Sequence, residues 1–538
     1  MIRFEHVSLT YPGHPAATLR DVNLHIPEGE FVLVVGETGS GKSTLLRAVN
    51  GLMPHFTGGL MTGRVTVAGR DTRTHQPRDL ADVVGVVVQD PRDGFVADLV
   101  EDEIAYGMES LGLSPSVMRL RVEESLDLLG LDEIRQRPLR TLSGGQQQRT
   151  AIAAVLAQHP RALVLDEPTS ALDPAAAEEV LAALQRIVHD LGVTVLLAEH
   201  RLERVVQFAD RVVHVTQDGH VRSGDPQQLL TTTSVAPPVV ELGRLAAWTP
   251  IPLSVRDARR VAGPLRERLG LLSPPREVDP LTVQGDALVT LSSATAMYGN
   301  HVALSEVTLK VHPGEVIAVM GRNGAGKSTL LRSMVGLNTL QGGLVRVGSD
   351  DPRTLSARDL MSRIGMVPQE PADLLWCDSV ENECDTADAD SRAPVGTTRR
   401  MFDRLSPGVN PSTHPRDLSE GQRLSLALSL ILVADARVLL LDEPTRGFDY
   451  PTKARLIAVL RERAAAGRSV VLATHDVELV AEVASRTVVL ADGEIVANGP
   501  TRDVVMGSPQ FAPQIAKVLA PLPWLTVSEV AASLPVAG

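Results

Sequence analysis

The chain has 538 residues, 43% of them hydrophobic and 22% charged, with a formal net charge of −13. That length exceeds what one hydrophobic core supports and predicts two or more domains. The acidic balance, with no long basic run, argues against nucleic acid as a partner, and no uninterrupted apolar stretch is long enough to span a bilayer.

In chain order, the opening MIRFEHVSLTYPG alternates in polarity and predicts a β-strand, not a secretion signal, with Tyr11 near its end. The apolar run FVLVVG then leads into Gly36-x4-Gly41-Lys42-Ser43-Thr44, with Gly39 inside the loop. Glycines let such a loop curl its N–H groups toward phosphates; the lysine reaches the outer phosphates and the serine hydroxyl holds Mg²⁺. Gln89 closes a second short run, VVGVVVQ. LSGGQQQR (residues 142–149) precedes a long helical pattern and predicts a helix start, with Ser143 as cap and the glycine N–H groups facing an anion. ALVLDEP ends in Asp166 and Glu167, and VTVLLAEH ends in His200.

Residues 231–286 are rich in Pro and Thr and read as a connector with short helices, such as one over residues 255–272. The same landmarks then return in the same order: Tyr298; Gly321-x4-Gly326-Lys327-Ser328-Thr329 with Gly324; Gln369; LSEGQRL with Ser419, Gly421 and Gln422; Asp442 and Glu443; His475. This is a duplicated domain rather than a short repeat, and the first copy carries the longer middle insertions. The expected boundaries are 1–230 and 287–500 for the two copies, with 231–286 between them and a helical tail at 501–538. Short Val/Leu/Ile runs separated by helical patterns predict α/β domains with mainly parallel sheets, whose motifs fall at strand ends.

Each motif alone has an ordinary explanation. A glycine-rich match can be a flexible turn, an Asp-Glu pair a helix cap, a histidine or tyrosine a plain surface residue. Two glycine-rich matches in register, each after a strand and before a helix, select phosphate loops. An acidic pair following each at a strand tip selects a carboxylate for Mg²⁺ and one for water. The two cysteines, Cys377 and Cys384, have the spacing of neither a zinc knuckle nor a redox pair and predict reduced structural thiols in a cytosolic protein.

With phosphate loop, glutamine, LSGGQ-type signature, Asp-Glu and histidine in order, twice, the chain resembles the ATP-binding cassette (ABC) ATPases. The resemblance implies two tandem P-loop NTPase domains, each with an antiparallel β part and a helical subdomain, that pair head to tail within the chain. It further implies ATP and Mg²⁺ as ligands. Lys42, Asp166 and Glu167 would share one ATP with Ser419, Gly421 and Gln422; Lys327, Asp442 and Glu443 would share the other with Ser143, Gly144, Gly145 and Gln146. Tyr11 and Tyr298 would stack on adenine. Ser43, Asp166 and Gln89, and likewise Ser328, Asp442 and Gln369, would face the metal. Glu167 and Glu443 would polarise water, with His200 and His475 at the γ-phosphate and Asp173 and Asp449 in the loops that cross between cassettes. Three positions depart from the pattern: Glu420 replaces a signature glycine, the second signature helix lacks the run of glutamines, and Arg201 follows His200 where an acid is usual. Glu420 is expected to place a carboxylate near the first ATP and slow its hydrolysis.

The segments after Gln89 and Gln369, together with DEPTRGFDYPTK, AEHRLERV and SPQFAPQIAKVL, resemble the fused ATPase of energy-coupling factor (ECF) importers. That implies a membrane T component and a substrate-binding S component as partners, docking near residues 95–103 and from Leu374 to Glu383, at the cytoplasmic face of the cell membrane. Phe95, Val96 and Leu99 offer apolar contacts there, and Glu101, Asp102 and Glu103 an acidic rim for basic coupling helices; a solvated acidic loop over core residues is the plainer alternative. A fused sugar or peptide importer ATPase is the competing class. A translation-type twin cassette would carry a charged helical linker and a basic surface, and a DNA-repair cassette would carry zinc-binding cysteine clusters.

Overall fold

The computed structural model describes residues 1–13, 16–170, 172–275 and 285–534, and the chain divides into two compact units, Met1–Ser254 and Val255–Gly538. Residues 276–284 of the expected connector and 535–538 of the expected tail lie outside the described residues.

In the first unit, β1 (Ile2–Thr10), β2 (Leu19–Ile26), β4 (Leu60–Val67) and β5 (Arg70–Asp71) form an antiparallel sheet of order β2-β1-β4-β5. A second sheet, β10-β9-β3-β8-β7-β6, contains β3 (Phe31–Val35), β6 (Val84–Val87), β7 (Ala162–Asp166), β8 (Thr194–Ala198), β9 (Arg211–Val215) and β10 (Val221–Gly224). Its pairs are parallel except β9 with β10. Every residue of β3 and β8 is buried, as a strand covered on both faces requires. The Lys42–Val49 helix packs Leu45, Leu46 and Val49 between the two sheets, against Ile2, Val7, Val32 and Val34. Each such side chain contributes about 1.5–3 kcal/mol by leaving water. Between β6 and β7 the chain forms three helices, Val100–Ser110, Pro115–Leu129 and Gly144–Leu156.

The second unit repeats the plan. An antiparallel sheet β12-β11-β14 joins β11 (Val289–Tyr298), β12 (His301–Val311) and β14 (Gly342–Val347). The larger sheet, β15-β16-β17-β13-β18-β19, is built from β13 (Val316–Met320), β15 (Ile364–Val367), β16 (Val438–Asp442), β17 (Ser469–Ala473), β18 (Arg486–Ala491) and β19 (Glu494–Pro500). Period-two alternation along β13 sends Val316, Ala318 and Met320 to one core and Ile317 and Val319 to the other. The corresponding helical insert, Val380–Ser391, Thr397–Leu405 and Glu420–Leu432, has a middle helix of 9 residues against 15 in the first unit.

The Pro-rich connector is divided between the units. Residues up to Ser254, including the Pro238–Leu245 helix, cluster with the first, while the Val255–Val261 and Gly263–Leu269 helices cluster with the second. There Arg266 Nε donates to the carbonyl of Val518, 3.1 Å away, in the tail helix Gln514–Leu519. The tail is anchored by Trp524, which is fully buried. Among the described residues no helix is long and apolar enough to cross a membrane.

Candidate functional site

Both phosphate loops connect a buried strand to a helix whose first residue is the lysine. The preceding residues, Gly41 and Gly326, take left-handed φ values of 105° and 100°. A Cβ on Gly326 would lie 2.3 Å from the carbonyl oxygen of Ala303, and one on Gly36 2.4 Å from that of Val215, so only glycine fits. Gly39, Gly321 and Gly324 complete the two turns. Lys42 Nζ donates to the carbonyls of Gly36 (2.9 Å) and Glu37 (3.1 Å), and Lys327 Nζ to those of Gly321 (2.8 Å) and Arg322 (3.1 Å). Each ammonium is therefore folded back onto the carbonyls of its own loop.

The next residues, Ser43 and Ser328, hydrogen-bond to Asp166 and Asp442 at the tips of β7 and β16. Burial pushes both carboxyls above their ordinary pKa; the neighbouring Glu167 or Glu443 adds to the rise, and the serine and lysine oppose it. Thr44 accepts or donates a 3.1 Å bond with the Tyr11 hydroxyl, tying that ring to the phosphate-loop helix. Tyr298 is half exposed and instead donates to Asn338 Oδ1 (3.1 Å), whose amide reaches the carbonyl of Thr329 (3.1 Å).

Glu167 and Glu443, one residue past the strand tips, have φ of 51° and 52°. A non-glycine residue in this region stores strain that its surroundings must fix. The bond from each backbone N–H to the neighbouring strand, at Ala198 (2.9 Å) or Ala473 (2.8 Å), does so. Around the first carboxylate, His200 Nε2 lies 2.9 Å from Oε1, and Gln89 Nε2 donates to Oε2 at 3.1 Å. Around the second, His475 approaches Oε1 with the other ring nitrogen, Nδ1 (2.8 Å), and Thr474 Oγ1 donates to Oε2 (3.3 Å). Gln369 is exposed, and among the described residues its amide has no hydrogen-bond partner. The structure thus gathers Lys42, Asp166, Glu167, Gln89 and His200 on the C-terminal ends of one sheet, and in the second unit gathers the equivalents, Gln369 lying past the end of β15 as Gln89 lies past β6 but, among the described residues, without a bond to Glu443.

The departure at Arg201 has a structural explanation. In the second unit Asp476, after the histidine, accepts from Thr445 Oγ1 (3.1 Å), Lys453 Nζ (2.7 Å) and the Leu479 N–H (2.9 Å). In the first unit that acid is replaced by Glu199, before the histidine. It accepts from the Thr169 N–H (3.0 Å) and hydroxyl, and from the N–H of His200 (3.0 Å). Thr169 and Thr445 both follow the Asp-Glu-Pro triplet, so one acid–threonine link is made from opposite sides of the histidine.

Ser143 and Ser419 each cap a helix in a reciprocal box with Gln146 and Gln422. Ser143 and Gly144 are exposed, while Gly145 is buried against Ala176 in the helix Pro174–Leu191 and Gly421 against Gly447 in the loop after Asp442 and Glu443. Asp173 and Asp449 cap the helices that follow those loops, bonding to Ala176 N (2.9 Å) and Thr452 N (2.8 Å). Glu420 has a charged partner that motif spacing does not show: Arg446 Nε lies 2.5 Å from its Oε1.

The acidic rim is also corrected. Glu103 is buried and accepts from the N–H groups of Val96 (2.9 Å) and Ala97 (2.7 Å), and its counterpart Glu383 accepts from Cys377 N (2.6 Å). Glu101 is taken by Arg135 (3.0 Å) and Gln136 (2.6 Å). Asp102 is exposed, the Glu101 side chain is 33% exposed and Glu103 is buried; Glu101 and Glu103 shape the loop that holds Phe95 and Val96. Beside it a cleft of about 750 Å³ is lined by Phe95, Leu99, Leu139 and Leu142 together with the polar Arg92 and Arg140. Val96 is 62% exposed, and at its position in the second unit Trp376 is 86% exposed.

Motif reading does not reveal the roles of Glu199, Asn338 and Arg446, nor that Glu103 and Glu383 cap their loops. Glu199 and Arg446 were signalled by letters: an acid beside the histidine, and an arginine where the first copy has Ser170.

A family model described as ABC transporter matches residues 19–170 and 304–446. The chain is 58% identical over 99% of its length to the whole of an ABC transporter ATP-binding protein of Streptomyces avermitilis. It is 33% identical, over 97% of its length and 92% of the relative's, to one from Methanosarcina mazei. Among solved structures, a model of ribosome-bound archaeal Pelota and ABCE1 shares the fold, with a TM-score of 0.62 at 19% identity over 95% of this chain and 80% of that one.

Proposed function

The chain belongs to the ABC transporter ATP-binding family, and from that premise we propose that its two cassettes build two reciprocal ATP sites driving an ECF-type importer of a vitamin or similar micronutrient. Hydrolysis itself follows from the family. The observation that carries the assignment of roles is the Glu167 carboxylate, held on both oxygens by Gln89 and His200 at a strand tip beside the Lys42 loop.

The loop N–H groups and Lys42 bind the outer phosphates, the ammonium leaving the carbonyls of Gly36 and Glu37 to do so. Glu167 accepts a proton from water as the water oxygen bonds to the γ-phosphorus. The bond from that phosphorus to the β–γ bridging oxygen breaks, giving ADP and inorganic phosphate. His200 keeps the carboxylate pointed at the water. Lys327, Glu443 and His475 act likewise in the second cassette. Tyr11 and Tyr298 stack on the two adenines. The residues present also fit Mg²⁺. Among the described residues buried Asp442 Oδ2 has no hydrogen-bond partner, and a cation would offset the burial that disfavours ionised Asp166 and Asp442. Ser43 with Asp166, and Ser328 with Asp442, would hold it, near Gln89 and Gln369. When bound, it neutralises charge on the phosphate oxygens.

Ser419, Gly421 and Gln422 would close the first site, and Ser143, Gly144, Gly145 and Gln146 the second. The cleft at Phe95, which Leu99, Leu139 and Leu142 share with Arg92 and Arg140, and the exposed Trp376 support docking of T-component helices, since both sit on the loops that follow Gln89 and Gln369. Closing the cassettes on ATP would then move those helices, with cargo captured by the S component. Purification from native membranes, with mass spectrometry of co-eluting proteins, tests this. Small integral membrane proteins of T and S type are the expected companions; co-elution with ribosomes, or with a soluble sugar- or peptide-binding protein, would sink the importer assignment.

A further inference from the structure

The two unmatched residues of the second cassette meet each other. Glu420 stands where the first signature has Gly144, and Arg446 where the first Asp-Glu loop has Ser170. Arg446 Nε lies 2.5 Å from Glu420 Oε1, with the side chains 17% and 16% exposed. Among the described residues that N–H is aligned on no acceptor, so the contact is one of charge. Arg446 Nη1 also donates to Glu370 Oε1 at 3.2 Å, in the residue after Gln369. The backbones beneath are tightly packed: a Cβ on Gly421 would lie 2.4 Å from the carbonyl oxygen of Gly447. One guanidinium thus spans the glutamine loop, the signature turn and the Asp-Glu loop. In the first cassette Gly144 and Ser170 carry no charge, and Asp90, the counterpart of Glu370, pairs within its own loop with Arg92 (2.6 Å).

A carboxylate at the first residue of a helix suits the helix dipole but repels a triphosphate brought to that same end. We propose that Arg446 is a positioning residue for the second signature: it cancels the charge of Glu420 and fixes the turn that offers Ser419 and the N–H groups of Gly421 and Gln422 to ATP. This rests on the proposal above that the second signature serves the ATP held by Lys42. Glu420 and Arg446 are then one paired replacement for Gly144 and Ser170, and neither works without the other.

The test is photolabelling of the full chain with limiting 8-azido-ATP, quantifying labelled peptides that carry Tyr11 or Tyr298. Arg446→Ser is expected to lower labelling at Tyr11 at least about fivefold while Tyr298 stays within about twofold. Glu420→Gly combined with Arg446→Ser restores Tyr11 labelling, and Arg446→Lys retains it. No loss in Arg446→Ser, or a loss that the double variant does not restore, overturns the inference. If Arg446→Ser loses label at both peptides through misfolding, Arg446→Lys against Arg446→Gln decides, equal labelling overturning it. Ser419→Ala separates the two levels. If it leaves Tyr11 labelling intact, the reciprocal site itself fails; if it lowers labelling while Arg446→Ser does not, only the role of Arg446 fails.

Discussion

Glu167 and Glu443 occupy matching strand tips with the same strained backbone, yet different donors hold their carboxylates. The first has Gln89 and the Nε2 of His200; the second has Thr474 and the Nδ1 of His475. Backbone placement is common to both because the buried parallel strands dictate it. The side-chain shell has diverged, because a carboxylate has several lone pairs and accepts donors from more than one direction.

The strongest way to break this comparison is to remove both carboxylates. Glu167→Gln with Glu443→Gln should lower steady-state ATP turnover at least about 100-fold, each single change showing how much its cassette carries. A double variant at the wild-type rate would remove both residues from the chemistry. Next comes the displaced acid. Glu199→Gln turns an amide N–H₂ toward buried N–H donors and should cost about 1–3 kcal/mol of stability, read from the urea midpoint; Asp476→Asn should behave alike if the acids are equivalent. The glutamines should then differ. Gln89→Ala removes a hydrogen bond to a carboxylate and should slow hydrolysis about tenfold, whereas Gln369→Ala, with no such bond to lose, should change it less than about threefold; equal losses would mean the two shells converge once ATP is bound. The smallest effect belongs to Asp102→Arg, exposed and expected within about 0.5 kcal/mol of wild type, while membrane association falls if basic helices dock there. Charge reversal of Glu101 or Glu103, in contrast, breaks loop-shaping bonds and should destabilise the fold.

The fold was legible because its signals are local. Apolar runs such as FVLVVG and VLLLDEP are too short for helices and too continuous for one-sided strands, and the glycine loop can only follow a strand and open a helix. The strand-tip positions of Asp166, Glu167 and His200 came from the same runs stopping there. What stayed hidden depends on which side chains meet across distant segments. Glu101 to Glu103 look like a solvated rim in sequence, yet at helical spacing one faces inward to cap the loop and another meets Arg135. Glu420 reads as an intruding charge until Arg446, on another loop, is found beside it. The connector looked uniform in composition, but its Val255–Val261 and Gly263–Leu269 helices are claimed by the tail, through contacts such as Arg266 with Val518.

Reciprocity of the two sites is tested most directly by the structure of the Glu167→Gln, Glu443→Gln double variant with ATP and Mg²⁺. The account predicts one nucleotide between Lys42 and Ser419 and another between Lys327 and Ser143. Two nucleotides each enclosed by the residues of a single cassette would contradict it.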